Sequence, residues 1–307
     1  MFNNMLNYIL YFIKGFIMPL VSVIMSTYNR ESMIKEAIDS VLNQNFNDFE
    51  FIIIDDASTD STVSVIKSFN DSRIRLFSNK QNCGCTFNYH NANNLAKGKY
   101  IAHLDDDDIF LQNKLQLQVE FLEQHSDIDM VGTYVETFGE GARPSWVFYS
   151  KPEEIDFLMN LYNPICHSSV MYRKSFIDKH AVNYDISKKC AQDYDFYKQF
   201  LLKGAKIVNL PEVLVRYRMH ANRLTDIKVT QDIQIQNAEQ VKIELLSRFF
   251  TDKQIQEFKE LISGFPFNEY QETGVIEAVK LLSLNSNFDN ILVEKIIDDI
   301  KNKKFVF

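Results

Sequence analysis

From residue 20 to about residue 220, short β-branched and aromatic runs alternate with stretches whose apolar positions recur every three or four residues. LVSVIMS (20–26) is a compact apolar run, and SMIKEAIDSVLNQ (32–44) places Ile34, Ala37, Ile38, Val41 and Leu42 at helical spacing. FEFIIIDD (49–56) predicts a second strand and residues 59–69 a second helix. RIRLF (73–77) predicts a third strand, and residues 87–97 a third helix with Gly98 where a helix C-terminus favours glycine. KYIAHL (99–104) is the fourth strand. Hairpins cannot supply crossovers of this length, so the pattern predicts a mainly parallel sheet covered by helices on both faces.

Beyond Gln112 a helix is expected to about Gln124, followed by a strand over 129–138 and a loop over 139–145. A helix over 152–160 and a strand over 168–172 come next. Then follow a helix over 192–204, stopped at Gly204, and strands over 207–210 and 212–220. From about residue 226 the strand signal vanishes. Four helices are expected there, roughly 227–249, 252–263, 270–283 and 290–302. The chain thus divides into an apolar segment (1–18), an α/β unit (19–225) and a helical extension (226–307).

In an open α/β sheet, ligands bind beyond the carboxyl ends of the strands. STYNRE (26–31), DDASTD (55–60) and DDDD (105–108) each follow a strand end directly, so they converge on one edge. The acids of the third segment therefore project from the sheet's rim.

Charge narrows the partner. The net charge of −8 argues against nucleic acid, whose phosphates require a basic face, and suits a protein that recruits a cation for an anionic ligand. The four cysteines, Cys83, Cys85, Cys166 and Cys190, match no zinc spacing and no disulfide framework, which fits free thiols in the cytosol. The N-terminal apolar stretch Tyr8–Ile13 is far shorter than the roughly 20 residues of a spanning helix. Two readings stand for it, a helix lying on a membrane surface and a leader packed on the domain. Met18-Pro19, just before the first strand, adds a third, a natural start at Met18.

Asp105–Asp108 do not form a calcium loop, because Ile109 and Phe110 stand where a glycine and ligands belong. An acidic turn capping the next helix is one reading. The stronger one is a site for Mg²⁺ or Mn²⁺ carrying a diphosphate, since such ions use one or two protein carboxylates and complete their shell from phosphate and water.

The stretch from PLVSVIMSTYNRE to IIIDDASTDST, then GKYIAHLDDDDIFLQNKL, QDYDFYKQFLLKG and VLVRYRMH, resembles glycosyltransferase family 2 over residues 19–222. That resemblance implies a GT-A fold and an inverting, nucleotide-sugar-dependent transfer to a glycan or lipid-linked acceptor, in bacterial surface polysaccharide synthesis at the cytoplasmic face of the membrane. By resemblance, Ser26, Thr27 and Tyr28 hold the nucleotide base, and Asp56 accepts from the base imide, which favours UDP-sugars. Asp105 and Asp107 form the D-x-D pair, with Asp107 on the metal and Asp105 or Asp106 on ribose or metal. Asp193 is the general base, and His220 lies near the diphosphate or metal. His167 orders the acceptor-side loop or packs.

Two departures stand out. Gln192 replaces the usual glutamate before Asp193, and His90 replaces a common arginine whose phosphate contact Lys80 or Arg30 could supply. A nucleotidyltransferase would need a Gly-rich loop after the first strand, and a dinucleotide enzyme a G-x-G-x-x-G; neither is present. A non-catalytic sugar- or nucleotide-binding homologue is the remaining alternative, and retention of the acids speaks against it.

Overall fold

In the computed structural model, β1 (Val21–Thr27), β2 (Phe49–Asp55), β3 (Ile74–Ser78) and β4 (Tyr100–His103) run parallel. The residues described are 18–142, 149–220, 228–263 and 271–302. β1 and β2 are buried along their whole length, and their period-two alternation serves two cores. Val21, Val23, Met25, Phe51 and Ile53 face one core; Ile24, Ile52 and Ile54 face the other.

α1 (Ile34–Leu42), α2 (Thr62–Ser68) and α4 (Lys114–Gln124) cover the first face. α3 (Cys85–Leu95), α5 (Pro152–Leu158), α6 (Lys174–His180) and α7 (Gln192–Leu202) cover the second. Beyond β4 the sheet becomes mixed. β5 (Ile109–Phe110), β6 (Met130–Gly139), β7 (Met171–Arg173) and β8 (Ile207–Met219) complete the order β3-β2-β1-β4-β7-β6-β8-β5. β7 runs antiparallel to both β4 and β6. The mainly parallel prediction holds, since β6 and β8 also pair in parallel, and only β7 and the edge strand β5 run against their neighbours.

Other differences have local causes. Gly98 is not a helix cap, because α3 has already ended at Leu95. A side chain there would press on β1, with a Cβ 2.5 Å from Ser22 N and 2.7 Å from Val21 C. The strand expected over 168–172 opens instead as a 3₁₀ turn, His167–Ser169, in which the Ser169 hydroxyl bonds locally, Oγ donating to Cys166 O at 2.7 Å. Pro211 does not split β8; it sits where the register against β6 shifts, the place a strand tolerates proline. β5, of two residues, and α6 are not among the expected elements.

The tail forms the expected helices, α8 (Lys228–Leu246), α9 (Asp252–Leu261), α10 (Glu272–Asn285) and α11 (Asn290–Lys301). Their apolar faces close over Phe157, Leu158 and Leu161 in a third core. Ion pairs from Arg248 to Asp156 (2.9 Å) and Lys295 to Glu154 (2.7 Å) fasten them to α5. The N-terminal apolar segment lies outside the described residues, as does the expected domain boundary at 225. Among the described residues no helix is long and apolar enough to cross a membrane.

Candidate active site

The loops after β1 and β2 lock together. Asn29, at φ +52°, donates its N–H to Ser58 Oγ (2.9 Å) and accepts the Thr59 N–H on its side-chain oxygen (2.8 Å). The Arg30 N–H donates to Thr62 Oγ1 at 2.8 Å. This leaves Tyr28 projecting at the rim, 43% exposed, where an aromatic face is free to stack on a base. Thr27 is buried.

Asp56, also buried, holds the loop before α3. Its carboxylate accepts from Asn79 Nδ2 (2.8 Å), Cys83 N (2.9 Å) and Gly84 N (2.8 Å). Asn79 also donates to Asn88 Oδ1, and Asn88 Nδ2 donates to Ser26 Oγ at 2.9 Å. Ser26 and Asp56 thus belong to one buried polar chain with Asn79 and Asn88. Sequence reasoning missed both asparagines. For Asn88 there was a signal: α3 carries Asn88, Tyr89, Ala92 and Asn93 as one stripe, and a helix that turns asparagines inward is holding polar partners.

The four acids after β4 have four different surroundings. Asp105 accepts from Tyr89 OH (2.6 Å) and His167 Nδ1 (2.9 Å), and its side chain is 31% exposed. Burial works against its charge, but the His167 charge and the hydrogen bonds outweigh it and hold the carboxyl below its ordinary range. Asp106 pairs with Arg30 Nε at 3.2 Å. Asp107 meets His220 Nε2 at 2.9 Å and accepts Arg218 Nε on its backbone oxygen at 2.7 Å. Asp108 is buried and structural: it accepts from Ser168 Oγ (2.5 Å) and the Arg218 N–H (2.8 Å). The fourth acid therefore ties the cluster to β8 and to the turn before β7, a role no sequence pattern announced.

Burial and the neighbouring Asp107 charge, partly offset by Arg30, push the Asp106 carboxyl up from 3.8 to about 7. The folded chain then holds that proton more tightly than the unfolded chain. Its contribution to stability is complete below about pH 4 and is lost as pH rises to about 7. Asp106→Asn is accordingly expected to raise the melting temperature at pH 8 by several degrees, on the order of 1–3 kcal/mol, and to change little at pH 4. Thermal denaturation at the two pH values checks this.

Asp193 lies in the first turn of α7. Ala191 at φ +52° takes the N-cap place, so Asp193 is not spent as the cap. Asn163 Nδ2, from the stretch between α5 and the 3₁₀ turn, donates to its Oδ2 at 3.0 Å. Burial raises its pKa, and the His167 charge moderates the rise. Gln192, beside it, opens the helix. His90, the other departure, bonds the Tyr184 carbonyl through Nδ1 at 2.9 Å, while Arg30 stands at the rim beside Asp106. A polar cleft of about 730 Å³ on another face of α7 is lined by Asp195, Lys198, Gln240 and Glu244, which pair with one another.

Asp107 and His220 bring a hard oxygen and an imidazole nitrogen to one point, with Asp105 on the same loop. Among the described residues no three His, Cys, Asp or Glu side chains form a closed cage. This donor set fits Mg²⁺ or Mn²⁺ that takes its remaining ligands from phosphate and water.

A mixed sheet flanked by helices, with polar loops after its first two strands and an acid cluster after the fourth, is the framework of a GT-A fold. The sequence profile of glycosyl transferase family 2 matches residues 22–181, and the chain belongs to that family. A Haemophilus influenzae protein described as an uncharacterized glycosyltransferase is 33% identical over 221 residues, 68% of this chain and 68% of its own. The Escherichia coli protein WfaP, described as a UDP-Glc:alpha-D-GlcNAc-diphosphoundecaprenol beta-1,3-glucosyltransferase, is 32% identical over 221 residues, 72% of this chain and 85% of its own. Among solved structures, the mannosyltransferase PcManGT from Pyrobaculum calidifontis, crystallised with GDP-Man and Mn²⁺, is similar with a TM-score of 0.61. That likeness covers 94% of this chain and 81% of the other at 13% identity, and speaks for the fold alone.

Proposed function

We propose that the chain is an inverting glycosyltransferase that moves a hexose or N-acetylhexosamine from a UDP-sugar to a hydroxyl of a lipid-linked saccharide. The convergence of Tyr28, the Asp105–Asp108 loop, His220 and Asp193 on one edge of the sheet carries this reading. WfaP, similar over most of its length, is described as taking UDP-Glc to a diphosphoundecaprenol acceptor, which supports the donor and acceptor class and a place in bacterial polysaccharide synthesis. An acceptor of that kind supports a location at the cytoplasmic face of the membrane. The catalytic unit is residues 19–225, with 226–307 as a helical extension.

Ser26, Thr27 and Tyr28 receive the base, with Thr27 buried beneath the exposed Tyr28. Asp56, whose Oδ2 accepts from the Gly84 N–H, receives the base imide. Asp105 and Asp106 take the ribose side, with Arg30 beside them. Asp107, His220 and Asp105 would hold Mn²⁺ or Mg²⁺, which supplies Lewis-acid neutralisation of the departing diphosphate when bound. Asp193 accepts the proton of the attacking hydroxyl, and Asn163 fixes its orientation.

Incubation with UDP-Glc, UDP-Gal, UDP-GlcNAc and GDP-Man, each with Mn²⁺ and a diphosphoprenyl-GlcNAc acceptor, tests this. Release of UDP with product of inverted anomeric configuration is expected. Turnover of GDP-Man alone, or retention of configuration, would overturn the donor or the mechanism.

A further inference from the structure

We infer that His167 is a positioning residue for Asp105, aimed by His103 beneath it, and that together they decide which Asp105 oxygen is presented at the rim. The inference rests on the rim reading given above.

Both donors to Asp105 reach the same atom. Tyr89 OH lies 2.6 Å and His167 Nδ1 2.9 Å from Oδ1. With Oδ1 held by two hydrogens from the core side, Oδ2 is the oxygen left for ribose or a cation.

The hydrogens below have a fixed direction. Tyr172 OH donates its one hydrogen to Asn93 Oδ1 at 2.6 Å, and Asn93 Nδ2 donates to Asn183 Oδ1 at 3.0 Å. The Tyr172 oxygen must then accept from His103 Nε2, 2.8 Å away. His103 Nδ1 faces His167 Nε2 at 2.9 Å and Tyr184 OH at 3.1 Å. His167 Nδ1 meets a carboxylate, which only accepts, so it presents its N–H there, and turning the ring would break its contacts with both Asp105 and His103.

Packing reinforces this. His103 and His167 meet edge to face at 4.7 Å, and Tyr184 stacks on Phe196 at 4.2 Å. His103, Tyr172, Tyr184 and Asn93 are each no more than 1% exposed. So many aromatic hydroxyls and imidazoles buried in sequence under one rim carboxylate amount to an orienting device.

The test uses the full chain and UDP titrated by calorimetry in the presence of Mn²⁺. His167→Asn keeps an N–H near the Nδ1 position, whereas His167→Gln places its amide near Nε2 and loses the bond to Asp105. His167→Gln is expected to weaken UDP about tenfold, the scale of one charge-assisted bond, and His167→Asn by less than about threefold. Equal weakening by both variants, or wild-type affinity in His167→Gln, overturns the inference. Tyr89→Phe, nearly isosteric, removes the second donor to Oδ1 and is expected to weaken UDP several-fold, so the idea stays testable if His167→Gln does not fold. Wild-type affinity in Tyr89→Phe overturns it in that case. Failure of the unaltered chain to bind UDP with Mn²⁺ overturns the rim reading itself, a result distinct from the others.

Discussion

Asp193→Asn is expected to lower turnover by about 10²–10⁴-fold while leaving UDP affinity within about twofold. Asparagine keeps the size of the side chain and its contact with Asn163, so α7 has no reason to move. What disappears is the group that accepts the hydroxyl proton. The surroundings suit that task, since burial raises the carboxyl above its ordinary range and makes it a stronger base. The charged form is the active one, so the rate of the unaltered enzyme should fall as pH drops through that raised pKa, at higher pH than for an ordinary aspartate. Single-turnover rates against pH, beside UDP affinity for the variant, check both halves. Parent-level transfer by Asp193→Asn would remove it from the base role.

The second large effect is expected at Asp107. Its carboxylate is paired with His220 and its backbone is held by Arg218, so Asp107→Ala removes the oxygen from a point already fixed on two sides. Donor KM should rise by about 100-fold and stimulation by Mn²⁺ should vanish, with a total loss in kcat/KM of about 10³ or more. Steady-state kinetics across a Mn²⁺ series check this. The contrast with Asp106→Asn, expected to stabilise the protein at alkaline pH, separates two acids that stand side by side in sequence.

That contrast also shows where sequence reading works. Alternating β-branched runs and helical periods placed the parallel strands and the tail helices to within a few residues, because burial on both faces writes itself into every position of β1 and β2. The rim segments were equally legible, since the fold rule locates ligands at strand ends and the polar stretches stood there. The division of labour among the acids was not. Asp105, Asp106, Asp107 and Asp108 look alike in one dimension, and only Tyr89 and His167, Arg30, His220, and Ser168 with Arg218 make them different. Those partners come from distant parts of the chain. Gly98 failed for the same reason: its cause is the neighbouring backbone of β1, not its own helix.

Titrating UDP into the chain by calorimetry, first with EDTA and then with Mn²⁺, asks most directly whether the rim works as a cation-bridged diphosphate site. At least about tenfold tighter binding with Mn²⁺ is expected, with no such gain in Asp107→Ala. Equal affinity in the two buffers would contradict a cation held at the tip of the fourth strand.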